Sequence, residues 1–335
     1  MEENITVDKT PLVSVIVPAY NHERYIDDLL DSLIDQSYPN IELLICDDKS
    51  KDNTYDRVLR RKKELADRFE KVYICKNIEN QGVVKTINRL LDVSQGKYVK
   101  VIASDDFIIR DGIEKLVLFY EDNQQYDMIF SNCIICDEET HYPVIAAEYR
   151  TGYKTIPDLS GNVFQKMFES NIILGSTVFA LRNTFHKFGF YDERFAIEDW
   201  EYSLRIAQNG KIGFINENIV AYRIVKTSQC HYTRDAEGRA RFRRMYNNII
   251  KIHKKYNSPG IDLRKGYSKV YSLLLSLAID ACDNKAIKHI FMIKNKYGLK
   301  IDKEAILKYH SYRLHILLPM QKLKRKLGME TGGVD

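Results

Sequence analysis

The chain has 335 residues, 44% hydrophobic and 29% charged, with a formal net charge of +5, a balance that gives ample core material for one large α/β domain plus something smaller. No window approaches the roughly 18 uninterrupted apolar residues of a membrane span, and the acidic start MEENITVDKTP lacks the apolar core of a secretory signal, so a cytoplasmic location is expected. The charge is uneven: residues 231–335 hold 23 Lys+Arg against 9 Asp+Glu and residues 1–230 hold 28 against 37, so an acidic body carries a basic C-terminal third suited to an anionic partner.

From Leu12 to about Phe130 strands and helices alternate. The β-branched run LVSVIVPAY predicts a strand stopped at Pro18, and Ile26, Leu29, Leu30, Leu33 and Ile34 then fall at helical spacing. IELLICDD predicts a second strand, followed by a polar helix capped by Asp52 or Asn53. KVYICKN is a third strand, and Val83, Val84, Ile87, Leu90 and Leu91 mark the next amphipathic helix. KYVKVIAS is a fourth strand, Ile113, Leu116, Val117 and Tyr120 mark another helix, and DMIFSNCII is a fifth strand. Between about 137 and 197 the pattern loosens, with a short strand at STVFALR and a helix near 160–169. Residues 198–209 predict a helix, and KIGFIN and IVAYRIV two short strands. After about Thr227 the chain reads as helical, with Val270, Leu273, Leu274, Leu277 and Ala278 as one stripe, which divides it into residues 1–230 and a basic, mostly helical region 231–335.

Strands apolar on both faces, separated by helices, predict an α/β fold with a mostly parallel central sheet and helices on both faces. Ligands of such sheets lie beyond the carboxyl ends of the strands. The residues to read are therefore Tyr20-Asn21, Asp47-Asp48 and Ser104-Asp105-Asp106. No G-x-G-x-x-G or G-x-x-x-x-G-K-[ST] is present, so neither the dinucleotide fold nor a P-loop is signalled. Two adjacent carboxylates at a strand exit form either a solvated turn or a partial ligand set for Mg²⁺ or Mn²⁺, completed by substrate phosphates and water. Six cysteines, Cys46, Cys75, Cys133, Cys136, Cys230 and Cys282, read as small buried hydrophobes of a reducing compartment. Cys133 and Cys136 lack the second ligand pair that a zinc site requires.

The blocks VSVIVPAYN, IELLICDDKSKDNT, NQGVVKTIN, GKYVKVIASDD and FAIEDWEYSLRIAQNG occur in this order, and together they resemble the family-2 inverting glycosyltransferases of the GT-A fold, over about Pro11 to Ser228. The resemblance implies a nucleotide-sugar donor, favouring UDP, with a hydroxyl of a glycan or lipid-pyrophosphate-linked glycan as acceptor. Laid on this sequence, it implies that Pro18 and Tyr20 cradle the base and that Asp48 hydrogen-bonds it. Asp105 would face the ribose or sugar, and Asp106 would ligate the metal. Asn80, Gly82 and Asn88 would flank the nucleotide cleft, or serve only as a turn and helix start. Asp199 would be the catalytic base and Glu198 an acceptor contact, although acidic residues also favour helix N-termini for purely structural reasons. Trp200, the single tryptophan, is either a sugar platform or a core residue. The family often carries Tyr-Arg-x-His after its last strand, and that His can complete the metal site. Here Tyr222-Arg223-Ile224-Val225 puts Val225 in its place, with His231 six residues later. Arg223 and Lys226 are candidates for the diphosphate, or else solvated strand-end charges.

The segment YRLHILLPMQKLKRKLG, Tyr312 to Gly328, mixes apolar and basic residues and suits an anionic membrane surface on the inner face of the plasma membrane. A helical subdomain packed on the catalytic domain, or on a second copy as a homodimer, is the alternative. No nucleic-acid motif accompanies the charge. A sugar nucleotidyltransferase would want a glycine-rich loop where PAYNHERY stands, and a catalytically silent scaffold subunit would not need Asp48, Asp106 and Asp199. The donor sugar, the acceptor and the linkage are not specified by these residues.

Overall fold

The computed structural model describes residues 10–142, 150–151, 163–169, 171–225, 236–256 and 263–312. The chain divides into two compact units, one of Met1–Met167 with Asn171–Lys226 and the other of Phe168–Ser170 with Thr227–Asp335.

Among the described residues the first unit is built on nine strands: β1 (Val13–Ala19), β2 (Ile41–Asp47), β3 (Lys71–Lys76), β4 (Tyr98–Val101), β5 (Phe107–Ile108), β6 (Met128–Asp137), β7 (Arg150–Thr151), β8 (Val178–Leu181) and β9 (Ile212–Ile224). They form one sheet in the order β3-β2-β1-β4-β8-β6-β9-β5, with β7 on β6. The half β3-β2-β1-β4 is parallel, as the alternation predicts. Beyond β4 the sheet becomes mixed: β8 runs antiparallel to both β4 and β6, β6 and β9 are parallel, and β5 is antiparallel to β9. KIGFIN and IVAYRIV are one strand, β9, with a register irregularity where β6 passes Ser131–Cys133. There Asn132 Nδ2 donates to Asn216 Oδ1 at 2.6 Å, so the polar break that resembles a turn is a bulge within a continuous strand.

Helices α1 (Ile26–Ile34), α2 (Thr54–Arg60), α3 (Lys62–Arg68), α4 (Val83–Val93), α5 (Gly112–Asp122), α6 (Phe164–Glu169), α7 (Arg182–Phe188) and α8 (Glu198–Asn209) follow. The apolar stripe of α1 (Ile26, Leu29, Leu30 and Leu33) is fully buried against β1 and β2 core residues such as Val15 and Leu43. Each such side chain contributes on the order of 1.5–3 kcal/mol.

The strand order reverses between β1 and β4, because β2 and β3 lie on one side of β1 and β4 on the other. Pairing of β1 with β4 ends at Ile16–Val101, two residues before Pro18. Pro18, which has no N–H to donate, therefore sits where β4 has already left the ladder. The two strand exits part there, at the kind of switch point where open α/β sheets hold ligands.

The second unit contains α9 (Ala236–Lys255), α10 (Leu263–Asp280), α11 (Asn284–Tyr297) and α12 (Lys303–Tyr312). Asp283 caps α11, accepting from the amides of Lys285 and Ala286, and takes Arg243 Nε at 2.7 Å. His253 is buried against Phe168, ring centroids 4.5 Å apart, and burial pushes its pKa down to about 4. The basic segment after Tyr312 lies outside the described residues, as do Lys226, Cys230 and His231. Among the described residues no helix is long and apolar enough to cross a membrane.

Candidate active site

The exits of β1 and β2 are tied together by polar contacts. Asn21 adopts a left-handed φ of 55° and is clamped at both ends, its amide donating to Ser50 Oγ at 2.9 Å and its Oδ1 accepting from Lys51 N at 2.8 Å. The amide of His22 donates to Thr54 Oγ1 at 2.8 Å. Glu23 takes the amide and side chain of Asn53 at 2.9 and 2.8 Å. Tyr20 stands at the mouth, 37% exposed, free to present a ring face.

Asp48 is 3% exposed and holds the β3–α4 loop. Its Oδ1 accepts from Asn77 Nδ2 and from the Gln81 amide, and its Oδ2 from the Gly82 amide, each at 2.8 Å. With two lone pairs per oxygen, one acceptor site on Oδ2 remains for a base N–H. Gly82 has φ 87°, a conformation that favours glycine, and it sets this amide at the start of α4. Asn80 is exposed on the same loop. Asn88 is a structural bridge: its side chain donates to Tyr191 O at 2.9 Å and accepts from Tyr191 N at 3.0 Å.

At the β4 exit the two carboxylates part. The side chain of Asp105 is 17% exposed and its Oδ1 lies 3.8 Å from His22 Nδ1. Asp106 is 1% exposed, and its Oδ1 accepts from the Arg223 amide at 2.9 Å. Its Oδ2 has no bonded donor among the described residues, although the Ser176 hydroxyl stands close enough to favour the anion. Burial, reinforced by the neighbouring Asp105, pushes the pKa of Asp106 up to about 8. Behind it the ammonium of Lys100, fully buried and bonded to Ser176 O and Val178 O, is pushed by desolvation down to about 7.

Arg223 is no diphosphate contact here. It is 2% exposed. Its guanidinium donates to Asp105 O at 2.6 Å, Asp28 Oδ2 at 2.8 Å and Thr140 O at 2.7 Å, and it lies over the rings of Tyr25 and Phe107 at 4.8 and 5.4 Å. A buried charge held by these three bonds fixes the Asp105-Asp106 turn from inside the protein. Val225, at the position where a His would follow the last strand, is buried.

Glu198 and Asp199 open α8, whose first turn also carries Glu201. Both remain partly exposed. Desolvation, then the charge of Asp199, pushes Glu198 up to about 8. Desolvation raises Asp199 too, opposed by the Trp200 amide at 2.7 Å from Oδ1, the Asn171 side chain and the Gly175 amide. Trp200 is no sugar platform: it is 3% exposed and its indole N–H donates to Met167 O at 2.6 Å. The 3₁₀ turn Gly175–Thr177 links the two acidic groups. Ser176 Oγ accepts from Ala103 N at 3.2 Å on the Asp106 side, while the Cα of Gly175 abuts Asp199, so that a Cβ there would sit 3.4 Å from Asp199 Cβ.

Five residues of this site escape a reading of the sequence alone: His22, Asn77, Lys100, Asn171 and Ser176. Asn77 has one legible signal, its place directly after β3; the other four carry none.

Among the described residues no three His, Cys, Asp or Glu side chains gather to hold a metal by themselves. The partly exposed Asp105 carboxylate and the unbonded Oδ2 of Asp106 do fit a hard cation that takes one or two protein oxygens and fills its shell from phosphates and water.

This arrangement, a mixed α/β sheet with carboxylates at the switch point and an acidic helix start one turn away, is the GT-A glycosyltransferase fold. The chain belongs to glycosyl transferase family 2, whose model matches residues 14–183. It is 29% identical over 329 residues to an uncharacterized glycosyltransferase of Haemophilus influenzae, covering 95% of this chain and 96% of that protein. Over 130 residues it is 32% identical to the UDP-Glc:α-D-GlcNAc-diphosphoundecaprenol β-1,3-glucosyltransferase WfgD of Escherichia coli, covering 37% of this chain and 49% of that one. The crystal structure of the mannosyltransferase PcManGT from Pyrobaculum calidifontis, in complex with GDP-Man and Mn²⁺, shares its fold with a TM-score of 0.58 at 16% identity, covering 94% of this chain and 84% of that one.

Proposed function

We propose that the chain is an inverting transferase that moves a sugar from a nucleoside diphosphate, UDP by preference, to a hydroxyl of a glycan acceptor in cell-surface polysaccharide synthesis. The observation that carries this reading is the 3₁₀ turn Gly175–Thr177, which brings Asp199 and the Asp105-Asp106 exit to its two sides. The nucleotide lies across the parted exits of β1 and β4, its base on Tyr20 and against the remaining acceptor site of Asp48. Asp199 takes the proton of the acceptor hydroxyl as that oxygen attacks the anomeric carbon opposite the leaving diphosphate, so the configuration inverts. The raised pKa of Asp199 makes it a stronger base than an ordinary carboxylate. Glu198, neutral near pH 7, can donate a hydrogen bond to the acceptor. A divalent cation, Mn²⁺ or Mg²⁺, held by Asp105 and the open Oδ2 of Asp106, would neutralise charge on the departing diphosphate. Arg223 holds the turn that presents it, and Lys100 holds the neighbouring 3₁₀ turn through Ser176 O and Val178 O.

A lipid-pyrophosphate-linked acceptor fits the relative that acts on a diphosphoundecaprenol substrate, and it fits the basic third of this chain, which would rest at the inner membrane surface. The purified chain, given a panel of nucleotide sugars with Mn²⁺ and a lipid-linked glycan acceptor, should release nucleoside diphosphate in step with acceptor glycosylation. Tight donor binding without release or transfer in any combination would instead support a silent binding subunit.

A further inference from the structure

We propose that His22 is a protein ligand of the divalent cation, reaching it from the β1 exit beside Asp105. This rests on the nucleotide-sugar reading above. Several features point the same way. The ring is built into place: the left-handed backbone of Asn21 is locked to the β2 exit loop at both its polar ends, and the His22 amide is held by Thr54 Oγ1. The imidazole meets Tyr25 edge-on, centroids 5.9 Å apart at 72°, and its Nδ1 lies 2.8 Å from Ser104 Oγ. Nδ1 and Asp105 Oδ1 are 3.8 Å apart, with side chains 25% and 17% exposed. Two donor atoms bound side by side on one octahedral ion at about 2.1 Å lie roughly 3 Å apart, so the two side chains close by about 0.8 Å and the Ser104 hydroxyl gives way.

The surrounding charges agree. On the inner side of the acidic turn stand Arg223 and Lys100. Toward the cleft, the ion-pair partner of the Asp105 side chain among the described residues is His22. One imidazole cannot balance two carboxylates and a diphosphate, but it can share a cation that does.

A nitrogen ligand has a chemical consequence. Mg²⁺ strongly prefers oxygen, whereas transition ions accept imidazole, so His22 would bias the site toward Mn²⁺. The test is calorimetric titration of Mn²⁺ and of Mg²⁺ into the full chain with saturating UDP, for the wild type, His22→Ala and His22→Asp. His22→Ala should weaken Mn²⁺ by about tenfold or more and leave Mg²⁺ nearly unchanged, while His22→Asp should recover affinity with the preference moved toward Mg²⁺. Pulsed electron paramagnetic resonance of Mn²⁺ on the wild-type UDP complex should show a directly bonded nitrogen, an observation that requires no variant to fold. Normal UDP binding by the wild type, with phosphorus but no nitrogen coupling, or unchanged Mn²⁺ affinity in a His22→Ala protein with wild-type melting, overturns the assignment alone. Absence of UDP binding by the wild type in either metal overturns the nucleotide-sugar reading and this ligand with it.

Discussion

Replacing Arg223 by Met separates two roles that the sequence leaves open. The guanidinium is buried, donates to Asp105 O, Asp28 Oδ2 and Thr140 O and lies over two aromatic rings. Methionine fills most of the volume but strands the Asp28 carboxylate and two carbonyl oxygens. Asp28 keeps His141 Nδ1 at 2.8 Å, so part of its charge stays compensated. Removing one partner of a buried ion pair costs about 3–5 kcal/mol, and at about 2–4 °C per kcal/mol for a domain of this size the melting transition should fall by about 10 °C. Differential scanning calorimetry of the full chain, paired with UDP titration below the transition, reads both quantities. A melting temperature within about 2 °C of wild type, with UDP affinity down by an order of magnitude, would refute the scaffold argument and return Arg223 to the diphosphate.

Three further outcomes follow from the site. Asp199→Asn should lower kcat by about 10²–10⁴ and leave the UDP-induced thermal shift intact; near-wild-type turnover removes Asp199 as the base. Trp200→Phe loses the bond to Met167 O and should cost about 1–3 kcal/mol with no change in acceptor KM, whereas a large rise in KM would make Trp200 an acceptor contact after all. Glu198, raised from 4.5 to about 8, holds a proton in the folded state that the unfolded chain has released. Its contribution to stability is therefore complete below the unfolded pKa near 4.5 and is lost as pH rises through about 8. Melting temperatures measured between about pH 5 and 9 should fall less steeply for Glu198→Gln than for the wild type, and equal slopes would contradict the shift.

Much of the fold, the parallel half above all, is legible where a strand or helix is specified locally. The β-branched run at Val13–Val17, the stripe of α1 and the acidic start of α8 at Glu198 each signal their element within a dozen residues. Pairings set at long range are not legible. Nothing local says that the two residues of β5 join β9, or that β8 enters between β4 and β6. Asn216-Glu217 resembles a turn because its bulge exists only against β6. The same holds within the site. Asp199 is legible through its block, but the burial of Trp200 and Arg223 depends on partners distant in the chain, Met167 for one and Asp28 for the other. The two carboxylates of the β4 exit are adjacent in sequence, and their opposite exposures arise from the Arg223 amide, which takes Asp106 inward and leaves Asp105 at the cleft. His22 is separated from Asp105 by the whole of β2, β3 and α4, and the left-handed turn at Asn21 that aims it has no marker such as glycine.

A crystal of this chain soaked with UDP and Mn²⁺ addresses the central claim most directly. The account predicts the diphosphate and the ion at the parting of β1 and β4, in contact with Asp105, with the Asp199 carboxyl opening onto the same cavity. Nucleotide density away from that divide, or an Asp199 side chain closed off from the bound diphosphate, would contradict it.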